Sequence, residues 1–174
     1  MTVISPSKKF LYRKLQIFLK EYKNKKIGID LASENFKNSD FFKTRIYIGV
    51  DIRKNIIKQG LKKQNDIQKI GLHKDLTKSN SIGKNFADVA VSTNTIYQFR
   101  NCNDRFKAIK NFVAFVKPNG GLFLQMEKRH LNKQIMNKID SSFKSSRIIY
   151  YHNFLSEIYV RLLGGNKLVS NKFA

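Results

Sequence analysis

The feature that most constrains this chain is a set of short β-branched runs that are apolar at nearly every position. They read "KIGID" (26–30), "RIYIGVD" (45–51), "NFADVAVST" (85–93) and "GLFLQME" (121–127), with a weaker one in "DIQKIGLHKDL" (66–76) ending near Asp75. A strand with one wet face alternates apolar and polar residues; a near-continuous run belongs to a strand covered on both faces. Helical patterns stand between and around them. "IRKNIIKQGLKK" is a short helix stopped near Gly60, and "HLNKQIMNKID" spaces Leu131, Ile135 and Ile139 by four. In "NDRFKAIKNFVAFVKPNGG", Phe106, Ile109, Phe112, Val113 and Val116 form a stripe that Pro118, Gly120 and Gly121 should end. Strands alternating with helices imply an α/β fold with a doubly wound, mostly parallel sheet, in the expected order 3-2-1-4-5.

The ends of the chain complete this picture. Ser7 is placed to cap a helix reaching about Tyr22, with Leu11, Leu15, Phe18, Leu19 and Tyr22 on one face and lysines on the others. A basic amphipathic helix can lie on a membrane, but beside a sheet it is expected to cover the sheet with its basic face in solvent. In the tail, "SRIIYYHNF" and "SEIYVRLLG" are close enough to pair as an antiparallel edge hairpin. At 174 residues the chain is expected to form a single domain. Residues 1–24 would be the covering helix, 25–127 the core and 128–174 the C-terminal helix and hairpin.

Charge sets the chain apart. Lys and Arg number 34 against 12 Asp and Glu, a formal net charge of +22. A field of that size attracts nucleic acid or another polyanion. Codon bias accounts for Lys replacing Arg in a sequence also rich in Asn and Ile, but not for so few acids. No apolar run nears the roughly 20 residues of a membrane span, and the N-terminus lacks the apolar centre of a secretory signal. Cys102 is the only cysteine, which excludes an internal disulfide and a multi-cysteine zinc site. The cytoplasm is the expected location.

In a doubly wound sheet ligands bind beyond the carboxyl ends of the strands. Asp30, Asp51 and Asp75 each close a strand there, and Ser92, Thr93 and Asn94 close the fourth. One strand-end aspartate is an ordinary helix cap. Three in order, followed by "FVKPNGGLFLQ", are a pattern.

With these pieces the chain resembles the class I S-adenosylmethionine-dependent methyltransferases, most closely the small methyltransferase type 11 group, whose fold is Rossmann-like. Those proteins carry an Asp-Leu-Gly-Cys-Gly loop, a second strand ending in Gly-Val-Asp and a third ending in Asp. An F-D-x-V strand and an L-K-P-G-G-x-L turn follow. The matching pieces here are "DLASENF", "YIGVD", "HKDL", "FADVAVSTNTIYQF" and "VKPNGGLFLQ", in the same order over roughly residues 25–127.

The resemblance implies S-adenosylmethionine as cofactor and assigns its contacts. Asp51 would accept hydrogen bonds from both ribose hydroxyls, with Ile52 beside it. Asp75 and Leu76 would flank the adenine. Asp30, Ala32, Ser33 and Glu34 would face the methionyl part, and Ser92, Thr93 and Asn94 the sulfonium. The cofactor brings the reactive methyl, so the protein chiefly holds a nucleophile in line with it, and no catalytic triad is expected.

The chain also departs from the group. Ala32, Glu34 and Phe36 stand where it has glycines, and few residues remain before the second strand, leaving at most a stunted first crossover helix. A Glu-His pair frequent after the fourth strand is Tyr97-Gln98 here. Two readings of function follow. One is a methyltransferase of undetermined substrate; the other is a non-catalytic member of the fold, acting as a basic nucleic-acid-binding module or a partner subunit. A nicotinamide dehydrogenase is disfavoured by the missing glycine fingerprint. His73 reads as an exposed or packed residue, His130 as a surface residue at the start of a helix, His152 as a residue of the hairpin, and Cys102 as part of a polar loop.

Overall fold

The computed structural model describes residues 6–63, 67–78 and 82–149. Among these, β1 (Ile27–Leu31), β2 (Ile46–Asp51), β3 (Gln68–His73), β4 (Ala87–Ser92) and β5 (Val116–Leu124) form one parallel sheet in the order β3-β2-β1-β4-β5. The helices are α1 (Pro6–Lys20), α2 (Lys54–Leu61), α3 (Cys102–Phe115) and α4 (Lys133–Asp140).

Both faces of the sheet are covered, which is why its central strands do not alternate. Ile29, Leu31, Ile48, Val50 and Ala90 pack with Ile109, Phe112 and Phe115 of α3 and Ile135 of α4. On the other face Tyr47, Val89 and Val91 meet Leu15 and Leu19 of α1 and Ile57 of α2. Asparagine side chains start two of the helices. Asn101 accepts from the Asp104 N–H at 2.8 Å and Asn132 from the Ile135 N–H at 2.9 Å.

The connection from β1 to β2 is unusual. A parallel crossover is normally an α-helix, but residues 32–45 hold only turns and a short 3-10 helix, Ser39–Phe41. Phe36 and Phe42 fill the space a helix would occupy. Their rings stand edge-on to Tyr47 at centroid distances of 5.2 and 4.9 Å. Glycines make the room: a Cβ on Gly49 would lie 2.1 Å from the Phe36 ring, and one on Gly60 2.5 Å from it.

The element boundaries differ from expectation in several places. The first helix starts at Pro6, so Ser7 is its second residue and not its cap; it is buried, and its hydroxyl has no hydrogen-bond partner among the described residues. β1 runs one residue past Asp30, and β3 ends at His73, two residues before Asp75. Helix α3 ends at Phe115 rather than at Pro118, because Val116 is already extended and pairs with Ala87 of β4. Cys102 opens that helix instead of lying in a loop. His130 ends a 3-10 turn, Lys128–His130, and α4 begins only at Lys133. The expected hairpin falls almost wholly outside the described residues, and residues 145–149 belong to no regular element.

Candidate functional site

The loop after β1 sets the geometry at the carboxyl end of the sheet. Ala32, Glu34 and Phe36 all have left-handed backbones, with φ of 57°, 50° and 61°. These are the positions where the resemblance leads one to expect glycines, and the backbone follows a glycine-type path although none of the three is glycine. A left-handed residue with a side chain costs on the order of 1–2 kcal/mol. Tertiary contacts hold the path in place. The Ser33 N–H donates to the Val50 carbonyl at 2.8 Å, and the Phe36 ring is buried against β2 and α2.

This path delivers the Glu34 N–H to Asp51 Oδ2 at 3.0 Å. Asp51 is the last residue of β2 and is 3% exposed. Its Oδ1 accepts from the Arg53 N–H at 2.9 Å and from Arg53 Nε at 3.2 Å. The Arg53 side chain is 53% exposed, so its half of the pair is free to swing into water. Ile52, between them, is 62% exposed, an apolar side chain just past the carboxyl end of β2. The Glu34 carboxylate is paired with Lys37 Nζ at 3.3 Å.

Asp30 points under the loop. Its Oδ2 accepts from the Tyr47 hydroxyl at 2.8 Å and its Oδ1 from Asn38 Nδ2 at 3.2 Å. Burial pushes its carboxyl up to about 6, against the downward pull of those hydrogen bonds and of Lys37. Burial, followed by the Asp30 charge, raises the Tyr47 hydroxyl well above its ordinary range. Asn38 also donates to Thr93 Oγ1 at 3.1 Å, tying the loop to the end of β4.

Ser92 and Thr93 are buried, and Asn94 turns left-handed with φ 56°. Gln125, just past β5, clamps this turn: its N–H donates to the Ser92 carbonyl at 3.0 Å, and its Oε1 accepts from the Asn94 N–H. Three buried atoms around the turn have no hydrogen-bond partner among the described residues, namely Ser92 Oγ, Asn38 Oδ1 and Gln125 Nε2. Buried polar groups are normally paired, and an exception asks for a ligand or a water.

The structure thus brings together Asp30, Ala32, Ser33, Glu34 and Asp51 around one loop, with Ile52 just past β2, and ties Thr93 to that loop through Asn38. Asp75 sits one strand further out; its Oδ1 accepts from the Thr77 N–H at 2.9 Å and hydroxyl at 2.7 Å, which lower its carboxyl. Leu76 turns away, 6% exposed, into the core on the α3 side. Asn38, Gln125 and Arg53 were not singled out in the sequence. Only Gln125 left a trace there, as a polar residue directly after an apolar strand. His130, expected at the surface, is instead part-buried, and its Nδ1 is buried with no hydrogen-bond partner among the described residues. Burial and then Arg105 lower its ring below the ordinary histidine range.

Comparison with known proteins agrees with this geometry. A model of the ubiE/COQ5 methyltransferase family matches residues 20–155. The N-methyltransferase NodS from Bradyrhizobium japonicum WM9 is similar in structure, with TM-score 0.67, 12% identity and coverage of 85% of this chain and 89% of NodS. CalS10, an amino pentose methyltransferase from Micromonospora echinaspora solved with S-adenosylmethionine, has TM-score 0.54 at 10% identity, covering 69% of this chain and 52% of its own. An S-adenosylmethionine-dependent methyltransferase from Clostridium acetobutylicum has TM-score 0.54 at 17% identity, covering 63% and 48%. The chain therefore spans about half the length of these last two proteins. No curated protein matches it. With the family match extending over most of its length, the chain belongs to the ubiE/COQ5 methyltransferase family.

Proposed function

We propose that this chain binds S-adenosylmethionine at the carboxyl ends of β1, β2 and β4 and transfers its methyl group to an acceptor not yet identified. The observation that carries this reading is the preserved loop. Three residues with side chains adopt the left-handed conformations a glycine loop would have, and the result is a backbone N–H aimed at the strand-end carboxylate of Asp51. The buried, unpartnered Ser92 Oγ, Asn38 Oδ1 and Gln125 Nε2 fit a polar ligand at the same end of the sheet.

When bound, the cofactor supplies a methyl group made electrophilic by its sulfonium. Asp51 would accept from the ribose hydroxyls once the half-exposed Arg53 side chain moves off Oδ1, the hydroxyls replacing the guanidinium hydrogen bond on this buried carboxylate. Ile52 offers its exposed side chain to the purine, and Asp75 holds an acceptor near the exocyclic amine. Ala32, Ser33 and Glu34 line the methionyl end, where Lys37 neutralises the Glu34 carboxylate. Asp30, already hydrogen-bonded by Tyr47 and Asn38, presents buried negative charge beneath a cationic ligand. Thr93 and Asn94 form the floor on which the acceptor is aligned, and alignment is the main catalytic contribution of the chain. One exposed cysteine is consistent with a reducing compartment such as the cytoplasm. Among the described residues no helix is long and apolar enough to cross a membrane.

Calorimetric titration with S-adenosylhomocysteine tests this reading. Saturable one-to-one binding is expected; no heat and no thermal shift at millimolar ligand would overturn it.

A further inference from the structure

The acids and bases of this chain are used differently. Asp30, Asp51 and Glu127 are buried, and Asp88 is paired with Lys117 at 2.8 Å and holds the Ile27 N–H. Glu34 is paired with Lys37, Asp75 closes on Thr77, and Asp104 on Asn101. Most of the described carboxylates thus serve the interior or a local turn and leave the outer surface to the cations.

At the amino end of the sheet, backbone hydrogen bonds gather five of those cations. The segments entering β1 and β2 are zipped together: the Asn24 N–H donates to the Lys43 carbonyl, Arg45 to Lys25 and Ile46 to Lys26, each at 2.9 Å. Lys25, Lys26, Lys43 and Arg45 are therefore on adjacent segments, with Lys23 next to them in sequence; all five are exposed, and none has an ion pair among the described residues. The acids flanking the seam in sequence are Glu21 and Asp40. The large exposed apolar side chains Ile17, Ile52, Leu61, Ile70, Ile148 and Ile149 all lie outside it.

We propose that this seam docks the phosphodiester backbone of nucleic acid. The backbone bonds hold the two segments together, which concentrates their positive charge at one end of the sheet where it can meet phosphates. A membrane-binding surface would add apolar side chains to the lysines, and a base-reading surface would add exposed aromatics for stacking; among the described residues the seam has no fully exposed side chain of either kind. Contact is thus with phosphates and independent of sequence. The seam lies at the end of the sheet opposite Asp51, so the docked strand is a tether for the protein and not its methyl acceptor.

The test uses the full chain, a labelled 24-base-pair DNA duplex and fluorescence anisotropy across a salt series. The seam variant combines Lys23→Gln, Lys25→Gln, Lys26→Gln, Lys43→Gln and Arg45→Gln. The matched control combines Lys54→Gln, Lys58→Gln, Lys62→Gln, Lys63→Gln and Lys74→Gln on the α2–β3 edge. We expect the seam variant to lose affinity by about 100-fold or more at low salt, with a slope of log K against log salt shallower by up to about 4.5, while the control changes several-fold. Equal losses in the two variants would assign binding to bulk charge and overturn the seam. So would failure of the unaltered chain to bind the duplex while binding phosphatidylserine vesicles, or failure to bind either. Circular dichroism confirms that each variant is folded; if the seam variant is not, Lys25→Glu with Arg45→Glu replaces it, with an expected loss of tenfold or more. S-adenosylhomocysteine affinity, measured with and without the duplex, should be unchanged, so the seam and the cofactor site succeed or fail separately.

Discussion

The connections β1–β2 and β4–β5 join parallel strands in contrasting ways. Between β4 and β5 the chain forms the 14-residue helix α3, whose Ala108, Ile109, Phe112 and Phe115 repeat along one buried face. Between β1 and β2 there is no α-helix, and two phenylalanines and three left-handed residues do its work. A helix spreads its stability over many equivalent contacts. The loop concentrates it in a few side chains, one of which, Phe36, also fixes the backbone that reaches Asp51. The backbone path at Asp51 therefore rests directly on the packing of one loop side chain, whereas α3 reaches this end of the sheet through the strands it covers and through Asn111, which donates to the Leu76 and Lys78 carbonyls.

The sharpest break in this comparison is a pair of equal truncations. Phe36→Ala and Phe112→Ala should each cost about 3–5 kcal/mol in urea denaturation, since both rings are fully buried. Only Phe36→Ala is expected to weaken S-adenosylhomocysteine binding as well, because it frees the loop. Equal affinities for the two variants would separate the loop from the core and contradict the comparison.

The next effect is a pH dependence rooted in the same connection. The Asp30 carboxyl is raised by burial to about 6 in the folded chain, above its unfolded value near 4. Folding thus favours the neutral form. The contribution is fully present below pH 4 and is lost as pH rises through 6, on the order of 3 kcal/mol. Asp30→Asn should remove this decline in denaturation curves recorded between pH 4 and 7. A variant that keeps the same slope would show that another group carries it.

The smallest expected effect contrasts two alanines. Ala32→Gly relieves a left-handed residue and should stabilise the protein by about 0.5–1 kcal/mol, after the greater unfolded-state freedom of glycine is subtracted. Ala114→Gly, inside α3, should destabilise it by about 1 kcal/mol. Opposite signs in thermal denaturation support the comparison; the same sign breaks it.

Much of the architecture was legible in the sequence, for definite reasons. Strands buried on both faces announce themselves as unbroken apolar runs, so β1, β2 and β4 and the sheet order were accessible, and Asp51 with them. The stunted first crossover followed from the short spacing before β2. The left-handed path at Ala32, Glu34 and Phe36 was not legible, since residue type there argues against it and only packing around Gly49 and Gly60 enforces it. The bridge from Asp30 through Asn38 to Thr93 spans residues 30 to 93 and has no local signature. Pro118 looked like a helix stop, yet the chain leaves the helix earlier to pair with β4. Leu76 was expected, from the resemblance, to flank an adenine beside Asp75, but its apolar side chain is buried under α3.

The central claim is that the altered loop still presents Asp51 to S-adenosylmethionine. It is tested most directly by titrating S-adenosylhomocysteine into the unaltered chain and into Asp51→Ala under the same conditions. Binding by the unaltered chain and a loss of about 1.5–3 kcal/mol in the variant, roughly 10- to 150-fold, is the expected result. No binding by the unaltered chain, or an equal dissociation constant for a correctly folded Asp51→Ala, would contradict it.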